Sequence, residues 1–310
     1  MNIALLFPGQ GSQYVGMGRS IRETFPDVRQ FFETANDTLE MDIERACLEG
    51  PEAILSQTLY TQPAVFTASV AILWALQRTL RLTPAFVAGH SLGEYAALIA
   101  AGAISFEDGI HIVRKRAEWM HEAVPPGTGG MAALMGLSRE VVEAICSESA
   151  EDEILVPANY NSPAQIVVSG HMGALERAVA LGRDRGGRVI VLPVSAPFHT
   201  PLMEPVSRKL EALLENIPME DPVPPLVSNV TAAPACSKEE IRRLLVQQVC
   251  SPVLWEDSIR YMLQEGVRLF IEVGPGTVLK GLMKRIDQKA VCYSVEDTKS
   301  LEHLKDQLAA

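Results

Sequence analysis

The sequence predicts an α/β protein: a large domain built on a parallel sheet, interrupted by an inserted ferredoxin-like (βαββαβ) subdomain. Three observations carry that expectation. Short apolar runs alternate with amphipathic ones in the first part of the chain, the texture changes after the breaker PPGTGG (125–130), and the alternation resumes beyond Ser195. At 310 residues, 47% hydrophobic and 21% charged, the chain can bury a sizeable core.

In order, the pattern predicts a strand over 3–7, a mostly buried helix over 61–79, a strand over 85–88 and a helix over 92–101. A further helix spans 106–123. The middle of the chain reads as strand 131–136, helix 138–147, strands 154–161 and 165–170, helix 173–184 and strand 188–194, the ferredoxin-like order. Beyond it follow helix 202–216, strand 225–230, helix 241–249 and strand 269–273, which runs into the turn GPG. The large domain is therefore expected to be discontinuous, 1–127 with 196–310, around a subdomain at 128–195. A cleft between the two is the natural place for a site.

Composition removes several functions. The net charge of −11 argues against a nucleic-acid binder. Five scattered cysteines without a C-x-x-C pair indicate neither a metal site nor a disulfide framework, and fit a reducing cytoplasm. The N-terminus lacks a basic region ahead of its short apolar run, so no signal peptide is read. No uninterrupted apolar segment approaches the roughly 20 residues that span a bilayer, and no membrane association is expected. FPGQGSQ (7–13) follows the first strand, but the third glycine of G-x-G-x-x-G is replaced by Tyr14 and no G-K-[ST] follows. Nucleotide binding is excluded there.

GHSLG (89–93) matches G-x-S-x-G, the turn that exposes a serine between a strand and a helix, and makes the large domain α/β-hydrolase-like. Its flanks, AFVAGH and LGEYAALIAAG, supply that strand and helix. A tight helix start with small residues is the competing structural account. Ser91 at a helix N-terminus would have the Leu92 N–H aimed at an oxyanion. A second donor is needed, and the backbone N–H of Gln10 in FPGQGSQ is the candidate.

A serine needs a base. His90, His111, His121 and His171 read as surface or structural residues. His199 lies in SAPFHTP between Pro197 and Pro201, with Thr200 and Pro201 as the cap and first position of the next helix. That helix N-terminus is expected to keep its ring neutral. On the 106–123 helix, at about 100° per residue, Arg116 falls inside the apolar arc with Ile112, Val113 and Met120. An inward guanidinium wants a carboxylate: either a structural ion pair with a core acid, or a substrate carboxylate held bidentately.

With these residues in hand, the chain resembles the malonyl-CoA:acyl carrier protein transacylases of fatty acid synthesis and the related acyltransferase domains of polyketide synthases. FPGQGSQ, TQPA (61–64), GHSLGEYAAL, VRKRAEWM (113–120), NYNSPAQIVVSG (159–170), APFH (196–199), SNVT (228–231), SPVLW (251–255) and EVGPG (272–276) carry the resemblance in order along nearly the whole length. It implies transfer of a malonyl group from malonyl-CoA to the phosphopantetheine thiol of an acyl carrier protein, through an ester on Ser91. His199 would be the base, oriented by the main-chain carbonyl of Gln248. Gln10 and Leu92 would hold the oxyanion, and Arg116 the malonyl carboxylate. Gln62, Asn229 and Gln165 match polar pocket positions, and Phe198 holds the place of a residue that goes with malonyl rather than a branched acyl group. No cofactor beyond these thioesters is implied, and a cytoplasmic monomer acting in trans is expected. Lys280, Lys284 and Arg285, or Arg183, Arg185 and Arg188, could meet an acidic carrier.

Three alternatives remain open in the sequence. A hydrolase of the same family would clear acyl groups from the carrier. An α/β-hydrolase esterase would need a late histidine, for which only His303 is available. The third is a carrier-docking module without catalysis.

Overall fold

The computed structural model describes residues 2–194 and 196–309; residue 195, the expected last residue of the small subdomain, lies outside the described residues. Strands are numbered in chain order. The first sheet contains β1 (Ile3–Phe7) and β2 (Phe86–Gly89), the second β3 (Gly129–Met135), β4 (Leu155–Ser162), β5 (Gln165–His171) and β6 (Arg188–Val191). The chain then returns to the first sheet with β7 (Leu226–Val227), β8 (Pro234–Ala235), β9 (Leu269–Val273) and β10 (Val291–Val295).

The six-stranded sheet has the order β10-β9-β1-β2-β7-β8, parallel except for the last pair. Both its faces are covered, as a parallel sheet requires. Leu5, Phe7, Ile271 and Val273 point into the larger core with the Thr58–Thr79 helix. Their alternates Ala4, Leu6 and Phe270 face Trp255, Ile259, Leu279 and Met283 on the other side. The helix Thr58–Thr79 is long and apolar enough to cross a membrane, contrary to the sequence expectation, but 83% of its apolar window is buried inside the protein. It is the central core helix. Pro63 within it has no N–H to give to Leu59, whose carbonyl is instead reached by Arg114 Nη1 at 3.4 Å.

The second sheet is antiparallel with the order β4-β5-β3-β6, the ferredoxin-like arrangement. Helices Arg139–Ala150 and Met172–Asp184 bury one face through Leu134, Val168, Ile145 and Leu175. Met131, Ala133 and Val167 on the opposite face join the large core. A parallel bridge ties the two parts: Tyr160 N–H donates to Val253 O at 2.9 Å and Val253 N–H to Ala158 O at 2.8 Å.

Several boundaries differ from expectation. The strand expected to reach residue 194 ends at Val191: Leu192 N–H still donates to Met131 O of β3 at 2.9 Å, but Val194 N–H then turns back to Leu192 O at 2.8 Å. The helix expected from 202 begins as a 3-10 turn, Pro201–Met203, before Glu204–Leu214, since Pro201 and Pro205 hold the entry. Helices Arg29–Leu39, Trp255–Gln264 and Val278–Ile286 and strands β8 and β10 are among the elements the sequence pattern left unassigned, as are the short helices Arg19–Thr24, Ile43–Leu48 and Glu52–Leu55.

Candidate active site

β1 and β2 run side by side and stop together, Phe7 opposite Gly89. Their following loops, FPGQGSQ and GHSLG, therefore meet at the carboxyl edge of the sheet, where open α/β sheets place their sites. The contact is close. His90 N–H donates to Phe7 O at 2.9 Å, and a Cβ on Gly93 would lie 2.1 Å from that same carbonyl. A Cβ on Gly89 would lie 1.9 Å from Gly93 C. Only glycines at both ends of the motif let strand and helix approach this closely, and between them Ser91 is forced to φ 51°.

His199, also at positive φ (59°), is 4% exposed and brings Nε2 to 2.8 Å from Ser91 Oγ. Its Nδ1 faces two main-chain carbonyls, Gln248 O at 2.9 Å and Ser251 O at 3.1 Å. Carbonyls only accept, so the ring proton sits on Nδ1 and Nε2 presents its lone pair to the serine hydroxyl. Arg116, 1% exposed, donates from Nη1 to Gln62 Oε1 at 2.7 Å and from Nη2 to Ser91 Oγ and Gln248 Oε1, both at 3.0 Å. Among the described residues no carboxylate lies within 4.0 Å of its guanidinium. The structural ion pair weighed from the sequence is absent there.

Asn229 holds the serine turn from beneath: its Oδ1 accepts from Ser91 N–H and its Nδ2 donates to Gly89 O, each at 2.7 Å. Ser91, His199, Arg116, Gln62, Leu92, Gln10 and Phe198 line one cavity of about 110 Å³. The backbone N–H groups of Gln10 and Leu92 donate to no protein group among the described residues. Gln165 is not brought to this cavity. It starts β5, accepts from Arg285 Nη1 at 2.7 Å, and lines an adjoining outer cavity of about 500 Å³ that shares Gln10, His90 and Asn159 with the inner one. His303 packs on the Tyr293 ring on the terminal helix and lines neither cavity.

The acyl transferase domain family matches residues 4–303. The chain belongs to that family. It is 43% identical over 302 residues to the malonyl CoA-acyl carrier protein transacylase of Bacillus subtilis, covering 97% of this chain and 95% of the relative. The acyl-carrier-protein S-malonyltransferase of Burkholderia pseudomallei superposes with a TM-score of 0.96 at 42% identity, covering 99% of this chain and 100% of that one. A malonyl-transacylase solved in complex with its type II PKS acyl-carrier protein matches with the same score, identity and coverage.

Electrostatics in this acyl transferase follow from burial. His199 is pushed down to about 3, first by desolvation and then by the charge of Arg116. The neutral ring expected from the sequence is present, but burial and Arg116 cause it rather than a helix N-terminus; Thr200 caps only the short 3-10 turn. His90 is lowered by burial as well, and pairs through Nε2 with Asn161 Oδ1 at 2.7 Å, the structural role expected of it. Two participants escaped the sequence reading. Ser251 contributes a main-chain carbonyl, which no side-chain pattern reveals. Glu94, 1% exposed, is a lone acid directly before the apolar run YAALIAA, a signal that could have been used; burial raises its carboxyl to about 7 against the pull of Asn229, Gln248 and Arg116.

Proposed function

We propose that the protein transfers a malonyl group from malonyl-CoA to the phosphopantetheine thiol of an acyl carrier protein, through a malonyl ester on Ser91. The observation that carries this is Arg116, a buried guanidinium with no carboxylate within 4.0 Å among the described residues, 3.0 Å from the Ser91 hydroxyl. A charge so placed needs a carboxylate from outside the protein. Malonyl groups bring one, two bonds beyond the thioester carbonyl.

The steps use groups already aligned. Ser91 Oγ gives its proton to His199 Nε2 and attacks the thioester carbonyl. The oxyanion is met by the free N–H groups of Gln10 and Leu92. Collapse breaks the C–S bond, and the leaving CoA thiolate takes the proton from His199. The carrier thiol then repeats the sequence in reverse: it gives its proton to His199, attacks the ester carbonyl, and Ser91 Oγ leaves and is reprotonated. A substrate carboxylate on Arg116 offsets the charge that holds His199 down, so the base strengthens when a dicarboxylic acyl group is bound. Phe198, 6% exposed, narrows the inner cavity against a methyl branch, an effect worth about 1 to 3 kcal/mol.

The outer cavity suits the pantetheine arm of either thioester. Arg285, Lys280 and Lys284, exposed on the Val278–Ile286 helix at its wall, suit an acidic carrier, whereas Arg185 is already paired with Glu148. We also place the domain division at 1–127 with 196–310 around 128–195, and the enzyme in the cytoplasm as a monomer that needs no further cofactor. Gln165 then acts at the outer cavity, beside Arg285, rather than at the acyl group. Intact-mass measurement after mixing with malonyl-CoA tests the mechanism: a malonyl adduct on the wild type and none on Ser91→Ala is expected. An adduct that persists without Ser91 would overturn it. Adduct discharge to a carrier thiol faster than to water separates transfer from hydrolysis.

A further inference from the structure

Glu94 is buried beside the site, and no step of the transfer uses it. It stands in the first turn of the Gly93–Ala100 helix. Among the described residues it forms no ion pair within 4.0 Å. Its oxygens are held instead by two neutral donors: Oε1 accepts from Asn229 N–H at 2.6 Å, and Oε2 accepts from Gln248 Nε2. A buried carboxylate is costly to keep, so its contacts call for an explanation.

The explanation lies in polarity. When ionised, as it is above about pH 7, the Glu94 carboxylate only accepts, whereas an amide has one donor end and one acceptor end. Glu94 therefore turns Nε2 of Gln248 toward itself, and Oε1 is left facing Arg116, where it accepts from Nη2 at 3.0 Å. Reversing the amide would set donors against the guanidinium donors. The same Nε2 also reaches Ser91 O at 3.0 Å. Through its other oxygen Glu94 fixes the backbone of Asn229, whose side chain clamps both Ser91 N–H and Gly89 O.

We propose that Glu94 is a positioning residue that sets the polarity of the Glu94–Gln248–Arg116 hydrogen-bond series, and thereby how strictly the site demands a carboxylate on the incoming acyl group. This rests on the acyl-transfer reading above. The Asn229 arm and the Gln248 Nε2 contact to Ser91 O support the serine turn for every acyl substrate, while the Gln248 Oε1 contact bears on Arg116 alone. Damage to the turn lowers all substrates together; damage to the aim of Arg116 changes their ratio.

The test is Glu94→Met, which leaves neither donor an acceptor. Acylation of Ser91 by malonyl-CoA and by acetyl-CoA is followed by intact mass, giving kcat/KM for each. The malonyl-to-acetyl ratio is expected to fall about 10- to 10²-fold, the range for one lost hydrogen bond to a charged group. A ratio within about twofold of wild type, with both rates lowered alike, leaves Glu94 structural and overturns the proposal. Gln248→Met cuts the same series one link later and spares the main-chain carbonyl that holds His199. It decides the matter should Glu94→Met fail to fold: a fall in the ratio supports the proposal, and an unchanged ratio overturns it. Absence of a malonyl adduct on the wild type would remove the acyl-transfer reading itself. A wild-type adduct with an unchanged ratio in both variants removes only the role of Glu94.

Discussion

In the proposed transfer, Arg116 concentrates the specificity of the site in one side chain. Arg116→Ala removes the charge that a malonyl carboxylate would meet, so malonyl acylation should fall by roughly 10²-fold, about 3 kcal/mol, while acetyl acylation persists. Competition between malonyl-CoA and acetyl-CoA for the wild type and the variant measures this, and unchanged selectivity would sink the clamp. The residue was legible in the sequence because helical periodicity alone put a charge among Ile112, Val113 and Met120, all buried in the structure. His199 was legible through its prolines. Its two carbonyl partners were not: main-chain acceptors carry no residue type, and Gln248 was reached only through the family resemblance. Glu94 was passed over because it lies inside a motif read for its serine and glycines.

At the scale of elements, the serine turn depends on one strand and one helix approaching without side chains between them. Gly93→Ala would place a Cβ 2.1 Å from Phe7 O, a backbone atom fixed in the sheet. The helix must then move away from β1, and the turn carrying Ser91 moves with it. The variant should lose at least about 2 kcal/mol of unfolding free energy and most of its malonyl adduct. Urea denaturation and intact mass check the two parts separately; an unchanged urea midpoint would show that the contact is loose. The elements whose apolar period was clear, such as β1 and β9, were assigned to the residue. Less legible were ends set by local turns: β6 gives way where Val194 N–H turns back to Leu192 O, and the chain after Thr200 turns as a 3-10 segment before its helix begins.

For the whole molecule, the change of sheet after the PPGTGG segment was legible, but the seam between the sheets was not, because Val253 bridging Asn159 is a pairing across distant sequence. That arrangement encloses Glu94 and His199 together, and their titrations oppose each other in folding. His199 lies at about 3 in the folded protein against 6.5 as its ordinary value. The unfolded chain binds its proton first, so the stability it contributes is full above 6.5 and is lost as pH falls toward 3. His90, lowered as well, has the same sign. Glu94 runs the other way, at about 7 folded against 4.5. Here the folded protein holds the extra proton, so its contribution is full below 4.5 and is lost as pH rises through 7. Arg116 keeps its charge throughout, and Tyr95, raised to about 12, stays neutral. Glu94→Met deletes one of the two opposing slopes. Relative to wild type, the variant should therefore gain stability as pH rises from 4.5 to past 7, by on the order of a few kcal/mol over that window. Urea unfolding at pH 5 and pH 8 for both proteins measures the difference. A difference that stays constant between the two pH values would mean that Glu94 keeps its ordinary ionisation despite its burial.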